Sequence, residues 1–76
     1  MDSSSAVEGE LQIRFGRNVR LHREQLGLSQ EKFAELVGVH RTYMGGVERG
    51  ERNLTLRSAE QIAAVIHADP LALLQA

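Results

Sequence analysis

The chain has no cysteine and no tryptophan, a single proline, and an aromatic content of 4%. Without cysteine there is neither a disulfide framework nor a thiolate metal site. His22, His40 and His67 are too scattered for a ligand cluster, so neither a metal nor any other cofactor is expected. No apolar stretch approaches the ~18 residues of a membrane span. The start, MDSSSAVEGE, lacks the basic segment and apolar run of a secretory signal. The cytoplasm is the expected compartment, and no membrane partner is expected. Catalytic patterns are missing as well. There is no nucleophile–base pair, no paired carboxylates on one face and no glycine-rich phosphate loop, so the chain is not read as an enzyme.

What is present fits one small domain of 76 residues. A chain of that length buries a limited core, and pairing with a second copy is a reasonable expectation. The formal net charge is −1, but it is unevenly spread. Asp2, Glu8 and Glu10 lie in the first ten residues, which hold no base. From Leu11 onward nine Lys and Arg face seven acids, and eight of the nine are arginine, the residue suited to bidentate phosphate and guanine contacts. Residues 1–9 are expected to be a flexible acidic tail and residues 10–76 the folded domain.

The apolar spacing predicts helices throughout. Leu11, Phe15, Val19 and Leu26 share one face of a helix from about Glu10 to Leu26, with His22 on the same stripe as a half-buried histidine and Gly27 as the stop. A second helix, Ser29 to Val37, has Ser29 as N-cap, Phe33, Leu36 and Val37 as its stripe, and Gly38 as its end. Val39 and His40 separate it from a third helix, about His40 to Arg49, with Met44 and Val47 facing the core. A fourth, about Thr55 to His67, starts either on a Thr55 cap or on a Ser58 cap with Gln61, and buries Ala59, Ile62, Ala63 and Ile66. Asp69-Pro70 then restarts the chain into a short fifth helix with Leu71, Leu73 and Leu74.

The third helix breaks local rules. His40 is a weak cap. Arg41 brings a cation to the positive end of the helix dipole. Gly45-Gly46 costs roughly 0.8–1 kcal/mol per glycine relative to alanine. Several violations in one short helix suggest a site rather than a strut. Arg41 would be well placed in a DNA major groove, where guanine offers O6 and N7. The glycines, on the outer face, would let the backbone approach phosphates or bases.

Two helices joined by a short glycine-containing turn form the helix-turn-helix unit. The residues LGLSQ (26–30), Phe33-Ala34, Val37-Gly38-Val39 and Val47-Glu48-Arg49-Gly50 resemble the lambda-repressor/Cro-like (XRE) family. The resemblance covers roughly Phe15 to Leu74. It implies a compact all-α domain of five helices, a double-stranded DNA operator of (pseudo)palindromic sequence, and a homodimer. The runs Arg41-Thr42-Tyr43 and Arg52-Asn53-Leu54-Thr55 look like controller proteins of restriction–modification systems. That likeness implies that Arg41, Thr42 and Tyr43 read bases, and that Gln30, Arg49, Arg52 and Asn53 hold phosphates. It pairs Arg23 with Glu48 as a partly buried structural ion pair. It puts Leu71, Leu73 and Leu74 at a dimer contact and adds RNA polymerase as a candidate partner beside the nucleoid. The alternative is an antitoxin-type or phage-repressor-like regulator that also binds a protein.

Overall fold

In the computed structural model, residues 9–76 are described; the expected acidic tail, apart from Gly9, lies outside them. The first helix, α1, spans Glu10–Gln25. Gly9, at φ +89, supplies the left-handed entry, and Glu10 puts an acid at the positive end of the dipole. Phe15 and Val19 are buried, while Leu11 and Leu26 are half or more exposed. The expected apolar face of α1 is therefore real in its middle and bare at its ends, because later elements cover only the central turns. His22 is half-buried.

Helix α2, Gln30–Val37, begins as read: Ser29 Oγ accepts from the Lys32 backbone N–H at 3.0 Å. It ends on Gly38, at φ +90. Gly38 and Val39 both return backbone N–H bonds to the Ala34 carbonyl, at 2.9 Å each. This closure needs a left-handed residue, and glycine takes that conformation without a Cβ clash. Phe33 and Ala34 are buried and Val37 is half-buried, but Leu36 is 50% exposed and not part of the inner stripe.

Helix α3, Arg41–Glu48, crosses both α1 and α2. Helix α4 spans Leu56–Val65, and of its two possible starts the structure uses Thr55, whose Oγ1 accepts from the Ser58 backbone N–H at 3.0 Å. Among the described residues there is no strand. The core gathers Phe15 and Val19 of α1, Phe33 and Ala34 of α2, Met44 and Val47 of α3, Ile62 and Ala63 of α4, with Ile66 and Leu73 beyond.

The expected fifth helix is a single 3-10 turn, Ala72–Leu74. Asp69 does cap it, with Oδ1 accepting from the Leu71 N–H at 3.1 Å. The turn is tied to α1 through its carbonyls. Asn18 Nδ2 donates to the Leu73 carbonyl at 2.9 Å and the Gln75 carbonyl at 2.8 Å, and Gln75 is extended. The architecture is thus four helices and a terminal turn.

Candidate nucleic-acid interface

Three residues, Gly38 to His40, join α2 to α3. His40 is extended, and its Nδ1 accepts from the Thr42 backbone N–H at 3.1 Å. Histidine thus does here what Ser or Asp usually does at a helix start. Met44 and Val47 anchor α3 from below with essentially no exposure. The fixed helix then carries Arg41 and Thr42 exposed at its N-terminal end, with Tyr43 half-buried beside them. Arg41 has no ion-pair or hydrogen-bond partner among the described residues, so its five donors remain free at an electrostatically unfavourable place.

The C-terminal end of α3 is tied to α1 through Glu48. Arg23 Nε lies 2.7 Å from Glu48 Oε2 and Nη2 lies 3.0 Å from Oε1, a two-pronged contact. Arg23 Nη1 also donates to the Leu28 carbonyl at 2.9 Å, in the turn before α2. Their side chains are 11% and 4% exposed. The hydrogen bond to Glu48, ahead of the opposing effect of burial, raises the Arg23 pKa above its ordinary value. Gln30 completes the hub: Nε2 donates to Glu48 Oε1 at 3.0 Å. One carboxylate therefore holds groups from α1 and from the first residue of α2.

Gly45 and Gly46 are buried, not open on the outer face as expected. The atoms that cover them are the informative part. A Cβ on Gly45 would lie 3.2 Å from Arg49 Nη1 and 3.3 Å from Gln30 Oε1. A Cβ on Gly46 would lie 2.9 Å from Arg52 Nε and 3.1 Å from Arg52 Cγ. The glycines make room for three side chains to lie across α3, rather than for DNA to approach its backbone.

The loop after α3 carries the rest. Arg49 makes an exposed ion pair with Glu51 at 3.2 Å, and such a pair contributes at most about 1 kcal/mol. The Arg52 guanidinium lies over the Tyr43 ring, 5.3 Å from its centroid. Gln12 of α1 donates to Asn53 Oδ1 at 3.0 Å, which leaves the Asn53 amide N–H groups unspent. Arg41, Thr42 and Tyr43 thus lie toward one end of α3, and Arg49, Arg52 and Asn53 follow the other, with Gln30 bridging over Gly45.

The three C-terminal leucines do not act alike. Leu73 is fully buried, so it is a core residue and not part of a dimer contact. Leu71 is 70% exposed and Leu74 is half-buried. They border an apolar groove of about 600 Å³ whose lining includes Leu11, Phe15, Leu54 and Leu56. Among the described residues no helix is long and apolar enough to cross a membrane, and no three His, Asp or Glu are grouped to hold a metal.

Sequence reasoning missed Gly16, Gln12 and Asn18. A Cβ on Gly16 would overlap the Val47 carbonyl oxygen and lie 2.8 Å from that of Glu48, so Gly16 sets how closely α1 crosses the end of α3. An isolated glycine within a helical pattern was the available signal.

Comparison with known proteins agrees with this fold. A helix-turn-helix family model, HTH_3, matches residues 19–73. Control protein C.SmaI of Serratia marcescens is 50% identical over 50 residues, covering 66% of this chain and 60% of that protein. Control protein C.BamHI of Bacillus amyloliquefaciens is 38% identical over 69 residues, covering 90% of this chain and 85% of that one. The crystal structure of the restriction-modification controller protein C.AhdI from Aeromonas hydrophila superposes with a TM-score of 0.76 at 42% identity, covering 82% of this chain and 94% of its own. The chain belongs to the HTH_3 family of XRE-type helix-turn-helix transcription regulators, alongside the controller proteins of restriction–modification systems.

Proposed function

We propose that this protein is a dimeric regulator that reads a (pseudo)palindromic operator, in the manner of a restriction–modification controller, with residues 10–76 as the binding and dimerisation domain. The observation that carries the reading is Arg41: an unpaired, exposed guanidinium at the start of a helix anchored by Met44 and Val47, where the helix dipole disfavours it and an acceptor-rich ligand would offset that cost. Guanine presents two acceptors at the spacing of the guanidinium fork. Thr42, exposed beside it, would touch a thymine methyl or a base edge, and Tyr43 would contact the sugar-phosphate or a flexible step. Arg49, Arg52, Asn53 and the remaining Gln30 N–H would meet the phosphates that flank the groove.

The leucine-bordered groove supports pairing of two copies. Leu56 and Leu71 are 85% and 70% exposed, which is a poor state for a monomer in water. Two copies would address half-sites about one helical turn, ~34–36 Å, apart. RNA polymerase is a further proposed partner, to be tested by transcription from the bound promoter with purified components.

The test uses duplexes that the wild-type protein selects from a randomised pool. Arg41→Ala should cost ~1–3 kcal/mol on the selected site and relax the preference at one base pair. Arg49→Ala should weaken selected and scrambled duplexes alike and lower the salt slope by ~1. Equal weakening of both duplexes by Arg41→Ala would remove the base-reading role.

A further inference from the structure

Arg52, Gly46 and Tyr43 form an arrangement that the assignment of Arg52 as a phosphate contact does not explain. A phosphate contact needs only a cation within reach of the backbone, and it requires no seat against a neighbouring aromatic ring. Here the Arg52 side chain is laid back along α3, with Nε, Cγ and Cδ all within 3.5 Å of where a Gly46 Cβ would stand. Its guanidinium ends over the ring of Tyr43, which stands three residues before Gly46 on α3. Positions three apart on a helix are neighbours, so the missing Gly46 side chain opens a channel that runs from the loop to the ring. The ring packs against the core cluster, and the guanidinium lies over it. A half-buried aromatic held in this way has few rotamers left.

We propose that Gly46 and Arg52 are positioning residues for DNA reading: the bare Gly46 seats Arg52 across α3, and the seated guanidinium holds the Tyr43 ring in the pose that meets the operator. The inference rests on the operator-binding reading above. The charge that neutralises a phosphate and the ring that faces the groove then move as one unit. Backbone contact and base discrimination are coupled through a side-chain stack within the protein. An exposed cation–π contact corresponds to about a two- to fivefold effect on an equilibrium, and discrimination should change by that order.

Gly46→Ala is the direct perturbation. Its backbone is helical, alanine is the better helix former, and the nearest atoms a Cβ meets all belong to the flexible Arg52 side chain, so the fold is retained while the channel closes. Tyr43 is the only tyrosine, so its ring protons are unambiguous by NMR. In the wild type, nuclear Overhauser contacts should join the Tyr43 ring to Arg52 Hε, and Gly46→Ala should abolish them. The affinity ratio between the selected duplex and a scrambled one should fall about two- to fivefold, with the scrambled affinity nearly unchanged because the charge is kept. Arg52→Lys, which keeps the charge and loses the planar face, should lower the ratio in the same way. In a Tyr43→Leu background, Gly46→Ala should have no further effect on the ratio. Persistence of the Arg52–Tyr43 contacts in Gly46→Ala, or an unchanged ratio in both Gly46→Ala and Arg52→Lys, overturns the proposal. A wild type that enriches no sequence from the pool overturns the operator reading and with it the claim on discrimination, while the Overhauser contacts report the Arg52 seat independently.

Discussion

Replacing Glu48 by alanine should damage the fold far more than its single ion pair with Arg23 suggests. The carboxylate receives two bonds from Arg23 and one from Gln30. Removing it strands a guanidinium whose side chain is only 11% exposed, keeping one bond, to the Leu28 carbonyl. Breaking a buried pair from one side costs ~3–5 kcal/mol. A domain of 76 residues has roughly 4–11 kcal/mol in total at the usual stability per residue, so Glu48→Ala should leave the protein marginal at room temperature. Arg23→Ala should be nearly as severe, because Glu48 at 4% exposure keeps only Gln30. The double variant removes both charges and should cost less than the two singles summed, by ~0.5–3 kcal/mol and toward the upper end. Arg23→Met with Glu48→Leu should recover most of the stability, since an apolar pair of similar volume needs no desolvation.

The assay is urea unfolding of the four members of the cycle. Because the Arg23 pKa is raised, its contribution is fully present below the ordinary arginine range and is lost only as pH climbs through the raised value in strong alkali. Melts at pH 6 and pH 9 should therefore show the same interaction energy on its account. If the two singles add to within ~0.3–0.5 kcal/mol, the Arg23–Glu48 contact does not hold α1 to α3, and the argument fails.

Other outcomes follow from single contacts. Gly16→Ala should destabilise by ~1–3 kcal/mol in the same unfolding assay, despite alanine's helix propensity, because its Cβ overlaps the Val47 carbonyl oxygen and the two helices must part. Leu71→Glu should shift the sedimentation profile at micromolar concentration from dimer to monomer with little change in monomer stability; Leu73→Ala should instead cost ~2–5 kcal/mol of stability, since Leu73 is fully buried. Asn18→Ala should release the terminal turn, raising hydrogen exchange after Pro70 while α2 and α3 keep their protection, because Asn18 Nδ2 alone bonds both the Leu73 and Gln75 carbonyls.

The helix order was legible because each boundary had a local physical cause. Ser29 and Gly38 mark ends through a cap and a left-handed residue, and these depend on sequence neighbours alone, whereas the start of α4 was open between Thr55 and Ser58 until the structure showed Thr55. The apolar stripes were legible only where a partner element covers them. Leu11, Leu26 and Leu36 have the right spacing but are half or more exposed, since periodicity gives the face of a helix and not the length over which another helix lies on it. The terminal turn was overread for a related reason. Asp69, Pro70 and three leucines favour a helix locally, but the segment's place is set by a long-range contact, from Asn18, 55 residues before the Leu73 carbonyl it bonds.

The glycine pair is the instructive case. That Gly45-Gly46 weakens a short helix follows from propensity, and so does the inference that something else must make use of the space. Propensity does not say from which side the space is filled. DNA approaching the backbone and the protein's own side chains lying across it both need a missing Cβ. The distinction rests on Gln30, Arg49 and Arg52, which come from another helix, from the helix end and from the loop, and meet over the two glycines only once the chain is folded. These are three of the four proposed phosphate contacts, so on that proposal the glycines serve the interface indirectly. They let long cationic and amide side chains start from a low, ordered position against α3, which lessens the rotamer entropy lost when DNA binds. A helix of better intrinsic propensity, with alanine at both positions, would be more stable alone and would push the same side chains off its surface. Local instability in α3 is therefore tied to the geometry of the groups around it.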